Sequence, residues 1–400
     1  MEGYGIGKKT LLGIQHTFTM FGATVLVPII TGFDINVALF MAGAGTLLFH
    51  VLTKMKVPAY LGSSFAFITP VLTVATLYNG DIAYASGGLV IAGLIYVFMS
   101  LLIGIFGIDR VLKFFPPIVT GPIIILIGLG LAPTAIKMAS SNYLLAFISF
   151  VLVAGFSVYA KGFFKVIPVL TGLVLSYIVA ILMGTVDFTE FTKASLLGMP
   201  RFTTAKFSTD AIFIIAPVAL VTMVEHIGDI AAISATVGKN FMKDPGLVRT
   251  LIGDGLATSL SGLFGGPANT TYSENTGVLA LTKVYDPLVI RIAACFSIFL
   301  GLSPKLGALI STIPDAVIGG ISIVLFGMIS AVGTRTLVEN KIDFTSSRNL
   351  IIAAAILVLG IGGATIPIHI GSISFVIQGI SLAAFVGILL NIILIEPKNE

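Results

Sequence analysis

Long apolar stretches, broken by charged residues or by Gly and Pro, recur along the whole chain. They fall at 10–32, 35–53, 57–78, 85–107, 110–133, 142–160 and 164–184, and again at 208–232, 245–264, 268–281, 287–303, 312–333, 348–363 and 371–395. An α-helix rises about 1.5 Å per residue, so about twenty apolar residues match the hydrocarbon core of a bilayer. The pattern predicts an all-α polytopic membrane protein with fourteen transmembrane segments. The third and tenth runs stand apart because they are short, polar and interrupted, which predicts broken helices at those two places.

The two halves resemble each other. PPIVTGPIIILIG from Pro116 aligns with PDAVIGGISIVLFG from Pro314, 198 residues later, with identities at Pro116/Pro314, Val119/Val317, Gly121/Gly319, Ile123/Ile321 and Ile125/Ile323. The glycine-rich second and ninth runs, GAGTLL at 43–48 and GLATSL at 255–260, each lead into a broken one. A repeat of seven spans is odd in number, so its second copy inserts upside down. Inverted repeats with broken helices in matching positions place a binding site near the membrane midplane.

Charge agrees with this count. With the N-terminus cytoplasmic, cytoplasmic segments hold 17 of the 22 basic residues, leaving Lys137, Lys193, Arg201, Lys206 and Lys305 outside. The excess follows the positive-inside rule and puts both termini in the cytoplasm. The chain is 56% hydrophobic and only 10% charged, with a mean hydropathy of +1.09. That composition excludes a soluble domain of this size. The net charge of +4 is scattered singly through loops, so no basic stripe marks a nucleic-acid partner. The single cysteine, Cys295, excludes a disulfide framework and a cysteine-rich metal site. No removable signal peptide is expected, because the first apolar run lacks a small-residue cleavage pattern.

Against this background Glu225, Asp229, Asp254 and Glu274 are out of place, since all four fall inside apolar runs. A carboxylate in the hydrocarbon layer costs roughly 2.5–3.5 kcal/mol even on lenient insertion scales, which makes a functional site the default reading. The broken runs read VPAYLGSSFAFITP at 57–70 and GGPANTTYSENTGVLALTK at 265–283. Non-helical backbone at membrane depth survives only when buried in protein or lining a cavity. Where a half-helix begins, its free N–H groups face a ligand oxygen. The competing reading is a kink that merely lets helices pack closely.

The eighth run carries VEHIGD at 224–229. Glu225 and Asp229 are one helical turn apart on one face, while His226 is rotated away. Two carboxylates so placed in a low dielectric resist ionising together, and a carboxylate that gains and loses a proton is what proton-coupled transport requires. A structural hydrogen-bonded pair is the alternative. A divalent-metal site built from Glu225, Asp229 and Glu274 is a third reading without supporting His spacing. Gln15 and His16 in the first run, and Asp254 in the ninth, read first as packing hydrogen-bonders. Phe65 gains interest from its place in a broken run, where a flat ligand needs an aromatic face.

QHTFTMFGATVLVP at 15–28, PAYLGSSFAFITP at 58–70, VEHIGD at 224–229 and PANTTYSENTGVLALTKVY at 267–285 together resemble the nucleobase–ascorbate transporter family, and within it the bacterial uracil permeases. The last segment holds the signature Glu274-Asn275-x-Gly277 followed by Thr282-Lys283. The likeness is collinear over nearly the whole chain. It implies two inverted seven-span repeats with short antiparallel strands in spans 3 and 10. It also implies a core domain (10–107 and 208–303) and a gate domain (108–186 and 304–395), proton symport and a homodimer, in the plasma (inner) membrane. Position by position, the resemblance gives Glu225 and Glu274 to the base N–H groups and Phe65 to stacking. It gives Ala23 and Ser273 to backbone contacts with the base, and Tyr272 to the lining. Asp229 joins Glu225 in proton coupling, and Ser322 and Phe326 lie at the gate.

Three residues depart from the uracil-permease pattern. Asp229 stands where that pattern has His and is more like the purine-transporting branches, Phe326 replaces a Tyr, and Ser273 replaces a Gly. Glu274 itself favours uracil over purines. The expectation is a proton-coupled uracil importer, with no cofactor and no enzyme chemistry. A xanthine or other purine symporter, and behind it an anion transporter on the same architecture, are the alternatives.

Overall fold

The computed structural model describes residues 5–370 and 373–394. Segments occupy all fourteen predicted positions. They are α1 (Ile6–Thr31), α2 (Ile35–Leu52), β1 (Leu61–Ser63) with α3 (Ile68–Leu77), α4 (Ala83–Phe106), α5 (Pro117–Gly130), α6 (Tyr143–Tyr159) and α7 (Pro168–Leu182). The second series is α8 (Ala219–Val237), α9 (Leu247–Leu263), β2 (Asn269–Thr271) with α10 (Ser273–Thr282), α11 (Pro287–Gly301), α12 (Asp315–Glu339), α13 (Ser347–Ile361), the strands β3 (Thr365–Ile370) and β4 (Ile373–Gln378), and α14 (Gly379–Ile393). A short helix, Thr209–Ile215, leads into α8.

Among the described residues, six helices are long and apolar enough to cross a bilayer alone, seven if α11 and Pro304–Ser311, bent by 79°, count as one. The others are shorter or broken. α9 and α10 lack the apolarity, since Gly, Ser and Thr crowd them; most of α9 is buried, so it presents little surface to lipid. Linkers alternate between two faces. On the N-terminal face Lys9 pairs with Asp286 at 2.7 Å, and Lys56 with Asp244 at 2.6 Å. On the opposite face Lys206 pairs with Asp81 at 2.7 Å.

The repeat is built into the packing. α2 packs on α11 as α9 packs on α4, α12 packs on α6 as α5 packs on α13, and α6–α7 matches α13–α14. Two groups result, one around α1, α2, α4, α9 and α11, the other around α5–α7 and α12–α14. The offset of 198 read from sequence is the symmetry itself. A Cβ on Gly121 would lie 2.6 Å from Leu337, and one on Gly319 would lie 2.3 Å from the backbone of Ala139, which is 198 residues before Leu337. Gly128 and Phe326, also 198 apart, meet each other at the axis, where a Cβ on Gly128 would lie 2.3 Å from the Phe326 carbonyl oxygen. These glycines let helices approach to backbone contact, the usual solution where lipid supplies no hydrophobic drive between helices.

The fourteenth segment corrects the prediction. Helix covers only 379–393, because the start of the apolar run 371–395 belongs to an antiparallel hairpin pairing Thr365 with Gln378 through Ile370 with Ile373. Pro367 is unfit for a helix interior, the β-branched residues favour a pleat, and Gly379 at φ +58° turns strand into helix. The fifth helix also starts late, at Pro117, where Pro occupies its first turn.

Candidate functional site

The centre is the pair β1–β2. Leu61 faces Thr271, Gly62 faces Thr270 and Ser63 faces Asn269, antiparallel. Strands of three residues leave backbone groups over, and neighbouring helices satisfy them. The Thr46 hydroxyl of α2 donates to the Leu61 carbonyl at 3.2 Å and accepts from its N–H at 2.9 Å. The Thr258 hydroxyl of α9 does the same to Asn269, at 2.9 and 3.2 Å. In α1, Pro28 has no N–H, so the Thr24 carbonyl loses its helical partner, and the Ser63 hydroxyl donates to it at 3.1 Å. The Tyr272 hydroxyl donates to the Ser63 carbonyl at 2.9 Å. Gly62 makes room for that ring, since a Cβ there would lie 2.5 Å from it. The outward-facing backbone groups of Leu61 and Asn269 are therefore satisfied within buried protein.

From this platform two half-helices start. α10 begins directly after β2 with Glu274 in its first turn, and α3 follows a single 3₁₀ turn at Phe65–Phe67. Their free N–H ends flank the strand pair. Asp229 of α8 is bound to the same platform, its carboxylate accepting from the Thr271 hydroxyl at 2.8 Å and the Ser273 hydroxyl at 2.6 Å. His226 is rotated off Glu225 but stays at the platform, its Nδ1 3.4 Å from the Thr271 hydroxyl that also binds Asp229. Its Nδ1 lies 3.1 Å from Asp254, and both side chains are fully buried. His16 is likewise a packing partner, with Asn275 Nδ2 at 3.1 Å from its ring and 3.2 Å from its carbonyl.

Glu225, Ser273 and Glu274 are exposed and Asp229 is half-buried, although each sits in the middle of a span. Accessible positions continue along α8 through Gly228 and Ala232, and along α10 through Gly277 and Ala280, toward the N-terminal face. The Asp229–Ser273 contact joins α8 and α10 at the acidic centre, so accessible positions on both helices lead from it toward that face. On the opposite side the way is shut by an apolar cluster in which Leu26 and Ile68 meet Leu131, Ile318, Ile321 and Phe326. Phe65 lies at the boundary, half-buried, its ring edge-on to Phe326 with centroids 6.4 Å apart.

Ala23 is buried in the continuous helix α1, which engages its backbone, and Tyr272 is buried as a strut. Ser322 is fully buried in α12, with no hydrogen-bond partner for its hydroxyl among the described residues. No group of three or more His, Cys, Asp or Glu arranged to hold a metal occurs among the described residues. The sequence reading missed Thr46 and Thr258. Their signal lay in GAGTLL and GLATSL, where each is the fourth residue.

A bundle of inverted repeats, with two half-helices meeting on a buried strand pair beside accessible carboxylates, is the architecture of a secondary transporter. Sequence comparison narrows the class. The Xan_ur_permease model, described as Permease family, matches residues 7–369, and the chain belongs to this family of nucleobase–ascorbate transporters. It is 44% identical to the uracil permease of Bacillus caldolyticus, over 97% of this chain and 92% of that one. It is 44% identical to the uracil permease of Bacillus subtilis (strain 168), with the same coverage, and 39% identical to that of Escherichia coli (strain K12), over 96% and 90%. Among solved structures, the transmembrane domain of the cyanobacterium bicarbonate transporter BicA matches with a TM-score of 0.62 at 15% identity, over 96% of both chains. The murine solute carrier 26 family member A9 anion transporter, in an inward-facing state, matches with 0.71 at 11% identity, over 98% of this chain and 68% of that one. These two share the fold.

Proposed function

We propose that the protein imports uracil together with protons, binding the base between a core (α1–α4, α8–α11) and a gate (α5–α7, α12–α14). The observation that carries this is that accessible Glu225 of α8 and Glu274 of α10 come from two separate segments tied together by the Asp229–Ser273 hydrogen bond, with Phe65 in the turn that opens the other half-helix. Uracil is a flat ring with two N–H donors and two carbonyl acceptors. Carboxylates accept from the donors, the free N–H groups opening α10 serve a carbonyl, and Phe65 covers a face. The three relatives named as uracil permeases support this base. Asp229 and Glu225 carry the coupled proton, and the accessible positions along α8 and α10 lead to the cytoplasm, where the basic linkers lie. Two copies pair, as the family resemblance implies.

An anion carrier on this fold does not suit the site, because Glu225, Asp229 and Glu274 would repel its cargo. Proteoliposome uptake of labelled uracil should rise with an inward proton gradient and collapse with an uncoupler. Uptake indifferent to the gradient would remove proton coupling, and absence of uptake would remove the substrate assignment.

A further inference from the structure

One feature of the fold breaks the two-fold repeat. α6 and α7 are joined by residues 160–167, whereas their counterparts α13 and α14 are joined by 362–378, which carry the β3–β4 hairpin. That hairpin is fastened across the boundary between the two packing groups, onto the helix Thr209–Ile215 that leads into α8. The Asp210 carboxylate accepts from the Val376 N–H at 3.1 Å. The rings of Phe213 and Phe375 stack with centroids 3.8 Å apart and planes 12° apart, and Phe375 is buried. Just beyond, the Ser381 hydroxyl of α14 donates to the Ile214 carbonyl at 2.6 Å.

In a transporter made of inverted repeats, the two end states exchange the arrangements of the repeats. Contacts that both repeats make therefore cancel between the states. A contact made by one repeat alone does not cancel, and it sets their populations. We infer that the β3–β4 hairpin is a latch that holds core to gate on the opposite face and so favours the state open to the N-terminal face. This rests on the transport reading above, in which core and gate move against each other. The latch must open each time the opposite face opens. A buried aromatic stack and a charge-assisted hydrogen bond together amount to a bias on the order of tenfold or more.

The test places Phe213→Cys and Phe375→Cys in a Cys295→Ser background and closes the pair with a short bis-methanethiosulfonate, which forms a disulfide to each thiol with loss of sulfinate. The cross-linked protein should still bind uracil but lose at least about tenfold in exchange rate, with reduction restoring it. Cross-linked protein that exchanges uracil as fast as the reduced sample overturns the latch, as does failure of two reactive thiols to cross-link. The reduced sample reports separately on transport itself. A second measurement needs no transport. Leu72 is partly buried in the apolar seal of the opposite face, so labelling of Leu72→Cys by an impermeant thiol reagent reports opening there. Phe375→Ala should speed it about tenfold; an unchanged rate overturns the proposal.

Discussion

The strand pair depends on two hydroxyls, and Thr258→Val measures what one of them does. Thr258 is 2% exposed and Asn269 is 3% exposed, so neither backbone group of Asn269 has water to turn to. Valine keeps the shape and removes the donor and acceptor together. One buried N–H and one buried carbonyl are left without partners, each costing about 1–3 kcal/mol, or about 2–6 kcal/mol in total. For a chain of this length that is a fall of roughly 3 °C or more in Tm. Because β2 sets where α10 begins, uracil affinity should fall with it. Fluorescence-monitored unfolding of purified protein gives the stability, and scintillation proximity with labelled uracil gives the affinity. Thr258→Ser keeps the hydroxyl and should recover most of both. The symmetry adds a control: Thr46→Val acts on Leu61 through the same pair of bonds, so its stability loss should be of similar size. A Thr258→Val protein as stable as the parent, or one that Thr258→Ser fails to better, would refute the reasoning.

Three further outcomes follow from the same geometry. Glu274→Ala should abolish uracil binding in a thermal-shift panel of uracil, thymine, xanthine and hypoxanthine while leaving membrane insertion intact; unchanged uracil affinity contradicts the assignment. Ser63→Ala strands the Thr24 carbonyl that Pro28 frees, and should lower stability by about 1–3 kcal/mol in chemical unfolding. Gly319→Ala should destabilise more than Gly121→Ala, although the two positions are equivalent by the repeat. The first methyl meets the Ala139 backbone, while the second meets Cδ2 and Cγ of the Leu337 side chain, which can shift more easily than backbone; overpacking of this kind costs about 1–3 kcal/mol, and matched melting curves rank the pair.

The sequence displayed those features whose physics is local or expensive. Spans were legible because bilayer thickness demands runs of about twenty apolar residues. Glu225, Asp229 and Glu274 were legible because a carboxylate in such a run is too costly to be incidental. The inverted repeat showed faintly, at pairs such as Pro116/Pro314 and Gly121/Gly319, since apolar positions elsewhere are interchangeable between the copies. Features that depend on distant partners stayed hidden. β1 and β2 have three residues each and pair across more than 200 residues of chain, too short for any alternating pattern. β4 passed for the start of a helix because a short apolar run has no period to tell strand from helix, and β3 fell in the linker before it. The partner of Asp254 was out of reach for the same reason: His226 meets it from another helix. What hid the hairpin also explains its use. A segment apolar enough to look like membrane span can pack against the helix Thr209–Ile215 and α14 at the edge of the bilayer, where a polar linker would have stayed in water. That apolarity lets it tie the fourteenth segment to the helix that leads into the eighth.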